Sequence, residues 1–578
     1  MNYCHWYKPR FCLNTTTVST RNRSNSFLAK YGLRAFALGC LSTILTAIPT
    51  LGAERVSFSY EPVEFSIPVA SLEIYAQEGR IDSSLAEYAQ YIKPNDLAEL
   101  RKTLVERVDL SAVTVSQFLY SSLGETLLQY LGGFIQTDAH QNGFYALRAS
   151  LILAAADSKG LSLLNILKKF PSQTIRINSS TLKIATAFTQ LFNKTKQVTA
   201  LIEQQAAVEA ATGSSLHVAQ GIDLQQPGSF TWQKTTLTLN DSKRGRKFIV
   251  DLYLPNRQSS TPVLVISHGL ASDRTDFADL AQHLASHGFA VATLEHPGSD
   301  RQQLQNLLRG MAKEVVEPNE FVNRPKDVSY LLDELQQLNK SSPVMQSRLN
   351  LQKVGVLGHS FGGYTALAVA GAQLNFKLLR RECRSNVIEL NTTNLSGLLQ
   401  CQALYLSPTT NYRLQDKRIG AVFAINPMSN IVFGQTNLRQ IKVPVLLVAG
   451  SGDLVTPALI EQICPFTWLT TPNKYLAWIQ GGTHFYASQA SGSSVLLIPS
   501  ELTSSNAALA RRYLKTLSLA FANTYVAAQP EYRAYLQASY AQSISQPPLQ
   551  LRLIHSLTTT QVSQSLNLSC PGSQTLQD

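Results

Sequence analysis

Residues 354–364 read Val-Gly-Val-Leu-Gly-His-Ser-Phe-Gly-Gly-Tyr. The apolar run that ends at Leu357 predicts a buried strand, and the small residues of 365–372 predict a helix. Between them, Gly358-x-Ser360-x-Gly362 is the pattern of a tight strand-to-helix turn that exposes a serine hydroxyl. The flanking strand and helix favour a nucleophilic serine over a glycine-rich connection with an incidental serine.

A serine hydroxyl becomes a nucleophile at neutral pH only when a base accepts its proton. Two histidines follow Ser360 in the sequence, His484 and His555. His484 lies in a loop of small residues directly after the predicted strand Tyr475–Ile479, whereas His555 lies in an apolar segment near the chain end. The sequence therefore predicts His484 as the base and a structural role for His555.

The base needs a carboxylate that orients its ring. Asp453 follows the predicted strand Val443–Ala449 through a Gly-Ser-Gly turn, so it lies at the carboxyl end of a strand. Asp416 precedes a strand instead, on the opposite rim of a parallel sheet. Because ligands bind at the carboxyl ends of parallel strands, we predict a catalytic triad of Ser360, Asp453 and His484.

Two backbone N–H groups are expected to form an oxyanion hole for the charge that develops on a carbonyl oxygen. One is that of Phe361, the residue after the serine. The other is that of Leu270, which follows His268-Gly269 after the predicted strand Val263–Ser267. His268 is predicted to shape this loop, and His359 to pack and form hydrogen bonds within the turn.

From about residue 229 onward, short apolar runs alternate with helical segments. A hairpin is predicted at 230–254, followed by unbroken apolar runs that suit strands buried on both faces of a parallel sheet. We predict an α/β domain at 226–545, with a mostly parallel sheet flanked by helices. An insertion at 375–417 is expected to form a lid, and 546–578 to form a C-terminal tail.

The segment before this domain divides into two parts. Residues 1–53 begin with a basic, acid-free stretch, continue through an apolar run and end in Leu51-Gly52-Ala53, which is the layout of a secretory signal. Export to the periplasm, the extracellular space or a thylakoid lumen is expected, and an uncleaved anchor is the alternative. Residues 54–225 have leucines at helical spacing and predict a mainly helical domain with a structural or substrate-gating role. A peripheral membrane contact through its helices is a second interpretation.

Charge and cysteine content narrow the function further. The formal charge is +12, but removing residues 1–53 leaves 44 basic and 38 acidic residues without long basic runs. This distribution disfavours a nucleic-acid partner. Four cysteines remain after the signal, and no Cys/His spacing indicates a metal site. In an exported protein Cys383 and Cys401 are predicted to form a disulfide that closes the insertion, while Cys464 and Cys570 pair or stay free.

Several motifs together resemble a known family. Ser267–Leu270, the Leu-Ala-Ser-His-Gly-Phe-Ala-Val sequence at 284–291, Glu295-His296 and Gly358–Gly363 resemble the plasma-type platelet-activating-factor acetylhydrolases. They are also similar to bacterial dienelactone-hydrolase-like esterases and to polyester-degrading cutinase-like enzymes. This resemblance covers roughly residues 260–365 and implies the α/β-hydrolase fold. The whole arrangement, with its signal and helical module, resembles cyanobacterial predicted hydrolases that carry an N-terminal domain of unknown function.

The sequence departs from the acetylhydrolases at one position. In that family the acid lies soon after the strand that follows the nucleophile helix, where this chain reads Ala424-Ile425-Asn426-Pro427. The acid is therefore expected at Asp453, the position that most α/β hydrolases use.

These features predict a serine hydrolase that cleaves carboxylic esters through an acyl-enzyme. The expected substrate is a small-molecule or lipid ester, including phospholipid acyl esters, and no metal or organic cofactor is expected. A peptidase or an acyltransferase is the alternative among enzymes. The alternative from another class is a non-catalytic binding or scaffolding protein, whose working surface would be the helical module.

Overall fold

The computed structural model describes residues 52–60, 63–178, 180–212, 223–257, 259–342, 345, 348–383, 394–487, 506–567 and 569–573. The predicted signal at 1–53 lies outside these residues except for its last two positions. No helix in the described ranges has both the length and the apolar character needed to cross a bilayer.

Residues 52–178 form an N-terminal module with a small sheet. Its strands are β1 (Arg55–Tyr60), β2 (Val63–Pro68), β3 (Ile135–Gln136) and β4 (Thr174–Ile177), in the order β2-β1-β4-β3. Among the described strand pairs of this sheet, only β1–β4 is parallel. The helices of the module are Val69–Glu78, Ser83–Ala89, Pro94–Val105, Ala112–Leu119, Ser122–Gly132, Phe144–Ala156 and Leu163–Lys169.

Helix starts in this module follow local sequence signals. Side-chain oxygens of Asp82, Ser111, Ser121 and Ser162 each accept a hydrogen bond from a backbone N–H in the first turn of the helix that follows. Such caps satisfy N–H groups that have no partner within the helix. Leu85, Leu104, Leu128 and Phe170 are among the residues at the centre of a hydrophobic core that belongs to this module.

The long helix Ser180–Thr212 packs with the second core of the chain. Val198, Ile202 and Ala206 recur every four residues along one face and are buried against the larger sheet. The sequence prediction grouped this helix with the N-terminal domain at 54–225. Its apolar stripe instead belongs to the core of the larger sheet, and the helix packs near residues 550–554, so the boundary between the two cores lies near residue 178 of the chain.

Within the described ranges, the larger sheet has nine strands in the order β13-β12-β11-β10-β9-β7-β8-β6-β5. The six from β12 to β8 are parallel, and β5, β6 and β13 complete the sheet with antiparallel pairs. Their bounds are β5 Trp232–Asp241, β6 Arg246–Pro255, β7 Thr261–Ser267, β8 Ala290–Leu294, β9 Leu349–His359, β10 Ile419–Ile425, β11 Val445–Gly450, β12 Lys474–Gln480 and β13 Gln550–Ile554. The predicted strands and hairpin are therefore confirmed.

Helices cover both faces of this sheet, which explains why the central strands are apolar without alternation. Every residue of β7, β8 and β11 is buried. The helices of the domain are Ser180–Thr212, Ala278–Ser286, Arg301–Leu308, Glu320–Ser341, Phe361–Val369, Phe376–Glu382, Ser396–Gln400, Asn430–Leu438, Cys464–Trp468, Ala507–Tyr525, Ala538–Ile544 and Thr559–Leu566. The predicted α/β class with a mostly parallel sheet is confirmed.

The described parts of the insertion, 375–383 and 394–417, are held by a disulfide between Cys383 and Cys401, whose Cα atoms are 5.7 Å apart. This pairing confirms the sequence prediction. A second disulfide joins Cys464 and Cys570, with Cα atoms 5.6 Å apart. It resolves the alternative that the sequence left open.

The C-terminal segment differs from the predicted tail at 546–578. It contains β13, which pairs antiparallel with β12, and the helix Thr559–Leu566. Leu551 and Leu553 alternate with polar residues and are fully buried, so the strand packs one face on the core. The strand was difficult to predict from the sequence because it is only five residues long and directly follows a Ser/Gln/Pro-rich stretch.

Candidate active site

The turn between β9 and the helix Phe361–Val369 holds Ser360 at φ 55° and ψ −115°. A non-glycine residue at positive φ is strained and requires close packing around it. Two glycines make this packing compatible with the turn. A Cβ at Gly358 would lie 2.0 Å from the Gly362 carbonyl oxygen, and one at Gly362 would lie 1.9 Å from the Ser267 carbonyl oxygen. The local sequence thus forces the elbow geometry that the motif predicts.

Asp453 and His484 meet at the rim where β11 and β12 end. The Nδ1 atom of His484 lies 2.7 Å from Oδ2 of Asp453, and both side chains are buried. A ring whose Nδ1–H is donated to a carboxylate keeps Nε2 free as the proton acceptor. The parallel register of the two strands brings these residues together across 31 positions of sequence.

The carboxylate of Asp453 has further donors that sequence analysis missed. Its Oδ1 accepts from the backbone N–H groups of Val455 and Thr456, at 2.9 and 2.8 Å. The hydroxyl of Thr456 donates to Oδ2 at 2.8 Å. An Asp followed three residues later by Thr is a pattern of local side-chain-to-backbone turns, so Asp453-x-x-Thr456 was a usable signal. These bonds fix the carboxylate and stabilise its negative charge.

His359 connects the elbow to the proposed base. Its Nε2 lies 2.9 Å from the carbonyl oxygen of His484, and the two ring centroids are 4.9 Å apart. Burial lowers the pKa of His359 to about 3, so the ring is neutral and donates this bond. Among the described residues, no hydrogen bond joins the Ser360 hydroxyl to the His484 ring. Such bonds are commonly long without substrate and shorten when it binds.

The two predicted oxyanion donors belong to different segments, Leu270 to the loop after Gly269 and Phe361 to the helix that begins after Ser360. A Cβ on Gly269 would be 3.5 Å from Cβ of Ser360, which shows how closely this loop approaches the serine. Neither the N–H of Leu270 nor that of Phe361 donates to another group in the described ranges. Phe361 is the first residue of its helix, where N–H groups lack intrahelical acceptors. Two free donors beside a serine suit an oxyanion hole.

A fully buried arginine supports the loop that carries Leu270. The Nη2 atom of Arg324 donates to the carbonyl oxygen of His268 at 2.7 Å, and its guanidinium lies 4.4 Å from the centre of the Phe361 ring. Burial lowers the pKa of Arg324 to about 9. Its Nε and Nη1 have no hydrogen-bond partner in the described part of the chain. Its role could not be predicted from the sequence, because a residue in a helix interior gives no signal for contacts with a distant loop.

The loop is also anchored through histidines. The backbone N–H of His296 donates to Nε2 of His268 at 3.1 Å. The ring of His296 lies 3.0 Å from Asp327 and 2.9 Å from the Ser267 hydroxyl. Burial holds the pKa of both histidines well below the usual range, so both rings are neutral. His268 therefore lies in the position of a loop-shaping residue.

Asp416 and His555, which the sequence disfavours as triad members, have partners outside the Asp453–His484 pair. Asp416 precedes β10 and pairs with Arg418 at 2.6 Å. Asn426, at the carboxyl end of β10, donates to the carbonyl oxygen of Thr483 at 3.2 Å. His555 bonds Glu209 of the helix Ser180–Thr212 at 2.8 Å. None of these contacts includes the Asp453–His484 pair.

Two family models match this chain. The model described as "Alpha/beta hydrolase of unknown function (DUF1400)" matches residues 52–178. The chlorophyllase model matches residues 222–383, which include the elbow and the loop of Leu270. The chain has the α/β-hydrolase fold. The boundary of the first match coincides with the end of the N-terminal module.

Curated proteins similar to this chain are named as an acetylhydrolase and as cutinases. The platelet-activating factor acetylhydrolase of Canis lupus familiaris is 26% identical over 147 residues, which are 20% of this chain and 33% of that protein. Cutinase 1 of Thermobifida cellulosilytica is 26% identical over 132 residues, which are 22% of this chain and 40% of that protein. The chain thus spans a third to two fifths of the length of these relatives. The resemblance predicted from the motifs is confirmed.

Proposed function

We propose that this α/β hydrolase cleaves carboxylic esters with Ser360, His484 and Asp453 as its catalytic triad. One observation carries the proposal: the 2.7 Å bond between His484 and Asp453 at the strand rim, beside the strained elbow of Ser360. The similarity to an acetylhydrolase and to cutinases supports ester bonds as the target.

The mechanism follows from the roles of these groups. The Ser360 hydroxyl attacks the ester carbonyl while Nε2 of His484 takes its proton. The N–H groups of Leu270 and Phe361 bind the oxyanion, and the protonated ring then gives its proton to the leaving alcohol. Water attacks the acyl-serine with the same ring as base and releases the carboxylic acid. Asp453 keeps the ring in the useful tautomer and stabilises its positive charge.

The substrate proposed is a small-molecule or lipid ester, which places the enzyme among carboxylesterases and lipases. Export of the chain is part of the proposal. Its support is the pair of disulfides, Cys383–Cys401 and Cys464–Cys570, because such bonds persist in oxidising compartments.

The test is hydrolysis of p-nitrophenyl esters by the full chain and by Ser360→Ala. Because the hydroxyl is the nucleophile, kcat of the variant should fall by about 10⁴–10⁶, with an unchanged thermal midpoint. Retention of most activity in Ser360→Ala would exclude this nucleophile.

Labelling with a fluorophosphonate separates the enzyme from a scaffolding protein. The parent chain should label at Ser360, and Ser360→Ala should not. An unlabelled parent would favour the non-catalytic alternative. A labelled parent that cleaves peptides or transfers acyl groups, but hydrolyses no ester, would favour a peptidase or an acyltransferase.

A further inference from the structure

An apolar cluster joins the N-terminal module to the loop that carries Leu270. We name it the junction cluster. Leu304, Leu307 and Val315 are its buried members, and Phe118, Leu123, Leu270, Ala271, Leu308 and Ala312 are partly buried against them. Phe118 and Leu123 belong to the N-terminal module, and all other members belong to the catalytic domain. Residues from both modules therefore meet beside a proposed oxyanion donor.

The cluster lies next to the reacting serine. Leu270 directly follows Gly269, at which an added Cβ would be 3.5 Å from Cβ of Ser360. Six members of the junction cluster keep part of their surface exposed. An incompletely covered apolar surface beside an oxyanion hole suits the hydrocarbon chain of an acyl group, since burial of each methylene changes affinity by about fourfold.

Specific contacts hold the module in this place. The carboxylate of Glu314 accepts from the backbone N–H of Ser122 at 2.8 Å and from its hydroxyl at 2.7 Å. These bonds satisfy donors at the start of the helix Ser122–Gly132 and place a negative charge at its N-terminus. The preceding helix, Ala112–Leu119, packs on Arg301–Leu308 of the catalytic domain.

The helix Ser122–Gly132 also contacts the part of the chain next to the loop of the proposed acid. Ser122–Gly132 contacts Ser396–Gln400 of the insertion. The backbone N–H of Ser396 donates to the carbonyl oxygen of Val455 at 2.8 Å, and Val455 in turn donates to Asp453. One helix of the module is thus linked to the loop of the proposed acid and to the oxyanion loop.

We propose that the N-terminal module forms a wall of the acyl-binding site and that Phe118 and Leu123 limit the length of the acyl chain. This inference rests on the proposed ester hydrolysis. A purely structural docking of the module would leave the preference among chain lengths unchanged, although it would still affect stability. The ratio of kcat/KM between long and short esters separates the two roles.

The experiment compares p-nitrophenyl acetate, butyrate, octanoate and laurate with the full chain. Leu123→Trp adds side-chain volume to the cluster that contains Leu270, so kcat/KM for octanoate should fall about tenfold relative to acetate. Leu123→Ala should shift the optimum towards the longer esters. Leu151, which packs in the module core and not in the junction cluster, supplies the control. Leu151→Ala should change all four esters by one common factor.

A second variant changes a member of the junction cluster that lies outside the N-terminal module. Ala312→Trp should reproduce the loss with octanoate even if Leu123→Trp fails to fold. The octanoate-to-acetate ratio of kcat/KM is then compared with that of the parent. A ratio within twofold of the parent, in Leu123→Ala and in a folded Trp variant, would overturn the proposal that the module forms a wall of the acyl-binding site. Failure of the parent to hydrolyse any ester or to label at Ser360 would overturn the proposed function as well, which is a different result.

Discussion

At the carboxylate of Asp453, four donors converge: the ring of His484, two backbone N–H groups and the hydroxyl of Thr456. Hydrogen bonds to a charged acceptor are roughly twice as strong as neutral ones. The carboxylate is therefore held in one orientation before substrate arrives. Asp416 has a different environment, because its partner Arg418 belongs to the opposite rim.

Substitution of each acid by its amide tests which of the two orients His484. Asp453→Asn presents an amide to His484, which favours the wrong tautomer of the ring, so kcat should fall by about 10⁴. Asp416→Asn is the matched control and should leave kcat within a few-fold of the parent. Steady-state kinetics with one ester and circular dichroism of each variant measure both effects. A large loss in Asp416→Asn with little loss in Asp453→Asn would reverse the assignment of the acid.

Of the two disulfides in the described residues, one closes the insertion on itself and the other attaches the C-terminal segment to the sheet domain. Cys383–Cys401 spans 18 residues within the insertion, and Cys464–Cys570 spans 106 residues and ties the chain end to the helix after β11. In the chain-entropy model, a crosslink stabilises by restricting the unfolded chain, and more so for longer loops. The second bond should therefore contribute more.

We expect Cys570→Ser to lower the free energy of unfolding by roughly 5 kcal/mol and Cys401→Ser by roughly 3 kcal/mol. Denaturant unfolding of both variants, beside the parent with and without a thiol reductant, measures the difference. Peptide mapping without reductant should recover both crosslinked pairs. A free Cys570 thiol in the native protein would contradict the second pairing.

Prediction from sequence succeeded where one segment carries its own signal. The central strands were predicted because unbroken apolar runs such as Val445–Gly450 admit few other structures, and Cys383–Cys401 because the two residues share one short insertion. Strand β13 was not predicted because its five residues are too few to give a strand pattern by themselves, and they form a strand by pairing with β12. Arg324 was missed for the same reason, since its partners lie 55 and 56 positions away.

Across the larger domain, a buried network of charges links the hairpin β5–β6 to the loops of the proposed active site. Arg246 bonds both carboxylate oxygens of Glu320 and of Asp327, each at 2.8 Å. Removing one partner of such a network leaves a buried charge without compensation. Glu295 precedes His296, whose ring lies 3.0 Å from Asp327 of this network. Burial raises the pKa of Glu295 to about 7 even though Arg274 lies 2.8 Å away.

This pKa makes stability depend on pH. Between about pH 4.5 and 7 the folded chain keeps the proton of Glu295 that the unfolded chain releases, so the contribution of Glu295 to stability falls as pH rises through this window. Glu295→Gln should remove up to ~1.4 kcal/mol per pH unit from that slope. Chemical unfolding at several pH values from 4 to 8 measures it. Exposed Glu99→Gln is the control and should keep the parent slope; an unchanged slope in Glu295→Gln would refute the prediction.

The place of β13 has a consequence for incomplete chains. Strand β12 carries the loop of His484, yet in the described part of the chain its outer edge pairs with residues 550–554, some seventy positions later. At synthesis rates of about 5–20 residues per second, that edge stays open for roughly 4–14 seconds. An open edge is a template for pairing with another chain. A product truncated before residue 550 would keep that edge open permanently. Such a product would be lost to aggregation although it contains every proposed catalytic residue.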